Sequence, residues 1–195
     1  MTGAICCLGF STYVMALPSQ TITAEERALL PKWCMFTQTF DTRKKRAGHY
    51  ETYLKRYGSG WSHAHHVCWS LVAMQRYRNS SATQRDRDFL ARNAVGDLNY
   101  VLINAPPDFF MRFDINYKKA KIYLLQRKYA DARKVAANMI AKWPERADSH
   151  GVLAQAFYEE GKVGEARKAL DTAEGKVVDK QRLARYRKVL KLPSQ

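Results

Sequence analysis

The C-terminal half of the chain repeats itself at an interval of 34 residues, and this repeat limits the possible folds more than any other feature. Small, aromatic and apolar residues all recur at that spacing. The matched pairs are Ala120 with Ala154, Tyr123 with Phe157, Tyr129 with Val163, Ala132 with Ala166, Ala136 with Leu170, and Met139 with Ala173. Small side chains let two antiparallel helices approach closely, and an aromatic side chain fills the space beside them. The repeat therefore predicts stacked helical hairpins.

The rest of the chain is also predicted to be helical. Glycine and proline are sparse, at ten and six residues, and long-side-chain helix formers dominate the second half. Apolar spacing predicts helices over residues 24–30, 61–77 and 89–104, and Pro106 and Pro107 end the last of these. We expect an all-α fold with three parts: residues 1–16, a divergent helical region at 17–106, and the repeats with a capping helix at 107–195.

The repeated segment resembles the tetratricopeptide repeat family. One unit, numbered from Phe113, departs from the family pattern at Lys119, where an apolar residue is expected. The next unit, numbered from Ala147, lacks the closing proline and has Val178 there. The residues that match are Ala120, Tyr123, Tyr129, Ala132 and Pro144 in the first unit, and Leu153, Ala154, Phe157, Gly161, Ala166, Leu170 and Ala173 in the second. About 65 residues are covered, and a helix over 179–190 is expected to cap the stack.

The resemblance implies a short right-handed superhelix of antiparallel helix pairs that acts as a binding scaffold. In this family the first helix of each unit lines a concave face that holds the partner. The matching positions include Tyr117, Lys121, Gln155 and Tyr158, which are the candidate partner-binding residues. The sequence contains no serine-hydrolase, phosphate-loop or zinc-protease motif, so neither an enzyme nor a cofactor is expected.

The first sixteen residues carry no charge and end in Val14-Met15-Ala16, which predicts a signal peptide cleaved after Ala16. A basic residue near the start, typical of such signals, is missing. A looser resemblance to a group of exported bacterial tetratricopeptide proteins, carried by Leu30-Pro31, Cys34, His65-His66, Cys68 and Tyr100-Val101-Leu102, also favours export. We therefore expect a periplasmic or otherwise exported protein with no membrane span after signal removal. A cytoplasmic location is the alternative.

Export would leave two cysteines, Cys34 and Cys68. In an oxidising compartment they most simply form one disulfide, whereas in the cytosol they would be thiols or ligands. Cys68 also lies near three histidines on one predicted helix. Together with His65 and His66 it forms a candidate metal or redox site, although the spacing matches no recognised zinc pattern. The alternative is that the imidazoles pack in the core, bonded to backbone or carboxylates.

The formal net charge is +15, with 33 basic and 18 acidic residues, and this balance favours acidic partners. The leading hypothesis is a scaffold that docks a protein partner or an acidic envelope polymer through its repeats. Two alternatives stay open: a metal-binding or redox module at the histidine cluster, and a cytosolic RNA-binding protein. No base-stacking or groove-reading signature supports nucleic acid, which is therefore ranked below the envelope partners.

Overall fold

The computed structural model describes residues 21–38, 40, 46–79 and 81–192, and in these ranges it contains helices and no strand. The predicted signal peptide, residues 1–16, lies outside the described residues. The α-helices are α1 (Ala24–Ala28), α2 (Arg46–Tyr57), α3 (Ala64–Tyr77), α4 (Gln84–Asn104), α5 (Arg112–Leu125), α6 (Tyr129–Lys142), α7 (Ala147–Glu159), α8 (Val163–Ala173) and α9 (Lys180–Val189). Neighbouring helices pack in pairs, which confirms the predicted all-α, repeat-like fold.

Local sequence signals set the helix ends. Thr23 and Thr83 each form a capping box with the acidic residue three positions later, and these boxes begin α1 and α4. Because the box at Thr83 satisfies the first amides of α4, that helix begins at Gln84, five residues before the predicted start at 89. Its other end is closed by the Arg112 guanidinium, which donates to the carbonyl oxygens of Leu102, Ala105 and Pro106.

The two repeat hairpins turn in the same way. Gly161 takes the left-handed conformation between α7 and α8 (φ 84°), and Arg127 takes it 34 residues earlier between α5 and α6 (φ 57°). Ala120, Ala132, Ala154 and Ala166 are all fully buried at the helix contacts. The small residues that carried the repeat pattern therefore form the closely packed core of each hairpin.

Two cores lie in the N-terminal region, and the first of them extends onto α5. Aromatic side chains from α2 and the flanking 3-10 turns stack around the buried Trp61, with Tyr53 4.8 Å from it between ring centroids. A smaller core of Leu30, Phe40 and Val72 surrounds Cys34 and Cys68. Helix α2, which no sequence pattern predicted, belongs to the first of these cores. None of the described helices is both long and apolar enough to cross a bilayer.

Candidate interaction face and its groove

The predicted partner-binding residues lie on helices α5 and α7, and two of them are in direct contact. Lys121 Nζ donates to Gln155 Oε1 at 2.7 Å, and Gln155 Nε2 in turn donates to Glu159 at 2.6 Å. Tyr158, one turn beyond Gln155, is half-buried against the core between α7 and α9. We call the surface formed by Tyr117, Lys121, Gln155 and Tyr158 the α5–α7 face.

Helix α9 covers one end of the α5–α7 face. Tyr186 Oη donates to Asp148 Oδ1 at 2.7 Å, and Arg182 Nε donates to the same oxygen at 2.8 Å. Because the Tyr186 hydroxyl has a single hydrogen, the Tyr117 hydroxyl, 3.3 Å away, donates to it. A cap on the stack was predicted, but its contact with this face was not.

Two features fix Tyr186 in place. The first is Gly151, because a Cβ built there would lie 2.3 Å from the Tyr186 ring, so only glycine admits the ring at this distance. The second is the polar contact just described. Burial is the main cause that raises the pKa of Tyr186, and the bonds to Tyr117 and Asp148 add to it. The neutral phenol is thus favoured at all ordinary pH values, and it ties α9 to both α5 and α7.

A groove between α3 and α5 lies beside the open end of the face. It has a volume of about 300 Å³ and is lined by Ser70, Leu71, Met74 and Arg78 from α3 and its C-terminal cap, and by Tyr117, Lys118, Lys121, Ile122 and Leu125 from α5. Pockets that hold ligands usually measure roughly 300–1,000 Å³, so this groove is at the small end of that range. We call it the α3–α5 groove. It contains two of the four predicted partner-binding residues, Tyr117 and Lys121.

A second cavity, of about 360 Å³, lies between α4, α5 and α6. Arg112 and Asn116 both line it, but Arg112 closes the end of α4 and Asn116 donates to the Arg112 carbonyl at 2.8 Å. Arg112 and Asn116 thus have structural partners, and none of the predicted partner-binding residues lines this cavity.

The histidine cluster lies on α3 and faces α4. His66 Nδ1 is 2.7 Å from Asp97 Oδ1, and the His66 ring lies 4.1 Å from the Tyr100 ring. His65 Nδ1 is 3.0 Å from the Ser62 carbonyl oxygen. Burial, followed by the nearby His66, lowers the pKa of His65 to about 4, so His65 is neutral at pH 7. Burial raises the pKa of Asp97, against the opposing bond from His66.

The structure does not assemble the candidate metal site drawn from His65, His66 and Cys68. Cys68 is bonded to Cys34 at an S–S distance of 2.07 Å, so its sulfur cannot act as a thiolate. Within the described ranges, no group of three or more histidine, cysteine, aspartate or glutamate side chains is placed to hold a metal ion. The contacts of His65 and His66 are those of the packing alternative, in which imidazoles bond to backbone and carboxylate.

The predicted disulfide is present, and both of its cysteines are fully buried. It joins the segment before α2 to the middle of α3, across a separation of 34 residues. This segment also contacts α3 through Arg76 and Glu26, whose Nε and Oε1 atoms lie 2.6 Å apart. The histidine-bearing helix is thereby held against the N-terminal core.

Sequence reasoning missed several residues that matter at these sites. Asp148 and Tyr186 were not among the candidate partner-binding residues, although Tyr186 lies in the predicted capping helix. Gly151 could have indicated the contact with Tyr186, because a glycine inside a helix marks a place where another group packs closely against the backbone. Arg78 and Lys118 at the groove were not among the candidate partner-binding residues. Their role depends on how α3 packs beside α5, and no repeat pattern relates those two helices.

The comparisons with known proteins identify the repeats. Residues 117–177 match the family model described as tetratricopeptide repeat. Neither a curated protein nor a solved structure matches the chain. The matched segment runs from α5 to just beyond α8, where the 34-residue repeat and the paired helices coincide. The segment 117–177 is thus similar to the tetratricopeptide repeat family.

Proposed function

We propose that this chain is a non-enzymatic scaffold that binds a protein partner in the α3–α5 groove and along the adjoining α5–α7 face. Tetratricopeptide repeats generally mediate protein–protein interaction, and the family is typically non-enzymatic. The observation that carries the proposal is the groove itself. It is an open cavity with an apolar floor, next to Tyr117 and Lys121, which the family pattern had already marked as contact positions.

Helix α9 explains why the partner is assigned to this end of the face. Tyr186 and Arg182 occupy the Asp148 side of α7, so a partner there would have to displace them. At the groove, by contrast, Leu125 is 46% exposed, so a partner can reach it without displacing α9. A partner that enters the groove can bury this side chain, and each square ångström of apolar surface buried contributes roughly 25 cal/mol.

Site-specific photocrosslinking tests the proposal. A photoreactive phenylalanine analogue placed at Leu125 should give a discrete crosslinked product in cells that produce the chain. The matched control is the same analogue at Val163 on α8, which is 44% exposed but lies away from the groove. Equal crosslinking from both positions, or none from Leu125, would contradict the assignment of the groove as the docking site.

An acidic envelope polymer is the second partner that we propose, and the exposed side of α9 favours it. Arg182 and Arg187 are used inside the fold, bonded to Asp148 and to Asp171 and Glu174 respectively. Lys180, Arg185, Lys188 and Lys191 are exposed, and α9 contains no acidic residue. Exposed cations gathered on one surface suit a linear polyanion.

Heparin, as a stand-in for an acidic polysaccharide, provides the test of the α9 surface. Arg185→Glu with Lys188→Glu should elute from a heparin column at lower salt than Lys134→Glu with Lys168→Glu. Both pairs change the net charge equally, and the control residues are exposed on α6 and α8. If the two variants elute together, binding is a property of overall charge and not of α9.

We further propose that the protein is exported. The fully buried Cys34–Cys68 disulfide supports this location, because disulfides persist in oxidising compartments and are rare in the cytosol. The mass of the natively produced protein tests both parts of the proposal. Export predicts loss of residues 1–16 and of two hydrogens. An intact chain with free thiols would contradict it.

A further inference from the structure

The α3–α5 groove separates into an apolar floor and a basic rim. The floor is built from Leu71, Met74 and Ile122, with Leu125 at its edge. Met74 and Ile122 are 6% and 3% exposed, so they are fixed in the core and only their outer atoms form the floor. A ligand here gains from an apolar side chain that covers the floor.

The rim consists of Arg78, Lys118 and Lys121, and the groove lining contains no acidic residue. In the part of the chain that the structure describes, none of these three cations forms an ion pair with a carboxylate. Arg76, Arg182 and Arg187, by contrast, each form an ion pair with a carboxylate. The rim is therefore positive, and no carboxylate of the described residues is paired directly with it.

Lys121 is a partly buried cation at the rim that has no carboxylate bonded to it within the described ranges. Burial is the main cause that lowers its pKa, and its bond is to the neutral amide oxygen of Gln155. The two carboxylates whose charge acts on it, Glu159 and Asp148, are already engaged by Gln155 and by α9. A ligand carboxylate would relieve a partly desolvated ammonium, so binding of an anion is favoured here.

The cations are spread along the groove. Tyr77 Oη donates to the Leu125 carbonyl oxygen at 3.2 Å, so the C-terminal ends of α3 and α5 lie together. Arg78 is the C-terminal cap of α3 and stands at that end, whereas Lys118 is seven residues before Leu125 on α5. At 1.5 Å per residue this is about 10 Å, or roughly three residues of extended chain.

We propose that the α3–α5 groove binds an acidic peptide segment of the partner, in which an apolar side chain lies between two carboxylates about three residues apart. The apolar side chain covers the floor, one carboxylate meets Arg78, and the other meets Lys118 and Lys121. This inference rests on the proposed function, since it names the kind of segment that the groove would take.

A displayed library of random dodecapeptides, selected on the full chain, is the probe. Peptides enriched on the wild type should carry acidic residues on both sides of an apolar one. Arg78→Glu with Lys118→Glu should weaken their binding at least about tenfold, because each charge pair changes from attractive to repulsive. Selection on that variant should enrich lysine and arginine instead, a reversal that a misfolded protein could not produce. Lys134→Glu with Lys168→Glu is the charge-matched control and should bind as the wild type does.

The outcomes separate the two proposals. Enriched peptides that are neutral or basic, but lose binding in Leu71→Gln with Leu125→Gln, overturn the acidic segment and leave the groove as the docking site. Peptides indifferent to every groove substitution overturn the groove assignment as well. A selection that enriches nothing counts against the acidic segment, since the library contains the stated pattern many times over. Circular dichroism of each variant checks that the fold is intact.

Discussion

The contact between Gly151 and Tyr186 allows a sharp test of how α9 is held. A Cβ added at Gly151 would lie 2.3 to 2.4 Å from three carbon atoms of the Tyr186 ring. The ring has no easy escape, because its hydroxyl is bonded to Asp148 and contacts Tyr117. In Gly151→Ala, α9 must therefore move away from α7.

Two effects of opposite sign set the magnitude. Replacing glycine by alanine within a helix contributes about 0.5–1 kcal/mol of stability. Overpacking a fixed contact costs about 1–3 kcal/mol, and losing the Tyr186 hydrogen bond costs about 1 kcal/mol more. Gly151→Ala should therefore lower the free energy of unfolding by roughly 1–3 kcal/mol. Gly96→Ala should raise it by about 0.5–1 kcal/mol, because Gly96 is exposed within α4 and a Cβ added there meets nothing within 4 Å.

Urea denaturation of a four-member set measures this directly: wild type, Gly151→Ala, Tyr186→Ala and the double variant. Without the Tyr186 ring, alanine at position 151 meets no obstacle, so Gly151→Ala should become neutral or stabilising in that background. The expected coupling free energy is about 1–3 kcal/mol. If Gly151→Ala is as stable as Gly96→Ala, or if the two substitutions are additive, Tyr186 does not occupy the notch and the account of α9 fails.

Three further predictions concern the disulfide, Lys119 and His65. Replacing both cysteines, Cys34→Ala with Cys68→Ala, should lower the free energy of unfolding by roughly 3–4 kcal/mol, from the loop-entropy relation for a separation of 34 residues, and should raise the denaturant m-value. An unchanged m-value would argue against the entropic origin. Lys119→Leu should raise the free energy of unfolding by about 0.5–2 kcal/mol. Burial lowers the pKa of Lys119, which shows that its charge is partly desolvated, and the family has an apolar residue at this position. A lower melting temperature would contradict this. His65 should destabilise the fold as pH falls from about 6.5 to about 4, because the unfolded state takes up the proton first. Over this range the free energy of unfolding of the wild type should fall by about 1 kcal/mol more than that of His65→Gln. The comparison also removes the effect of Asp97, which has the opposite sign and is present in both proteins. Parallel pH profiles for the two proteins would exclude His65 as the cause.

The repeats were predictable because close packing imposes a residue type at each turn. Ala120 and Ala154 are small since two helices meet there, and Gly161 supplies a positive φ, so the pattern and the structure have the same cause. The disulfide was predictable from cysteine number and the expected compartment. Helix α2 was not, because its stability comes from aromatic contacts with Phe36 and Trp61, which lie outside it in sequence and leave no periodic signal.

The four predicted partner-binding positions show the limit of a family pattern. The pattern gives the side of a helix on which a residue lies, and Lys121 and Gln155 do lie together across α5 and α7. It does not give what else packs on that side. Whether Tyr117 is open to a partner depends on Tyr186 of α9, and the notch at Gly151 that seats Tyr186 is a departure from the repeat.

Part of the proposed docking site lies outside the repeats. Four of the nine residues that line the α3–α5 groove come from α3 and its cap, and they precede the matched segment 117–177: Ser70, Leu71, Met74 and Arg78. Helix α3 is held in place by the disulfide and by packing against α4, whereas the far end of the α5–α7 face is covered by α9. A chain with identical repeats but a different α3 would keep its shape and lose the basic rim at Arg78. In the proposed docking site the divergent N-terminal region is therefore one wall of the groove, and the choice of partner is expected to depend on it as well as on the repeats.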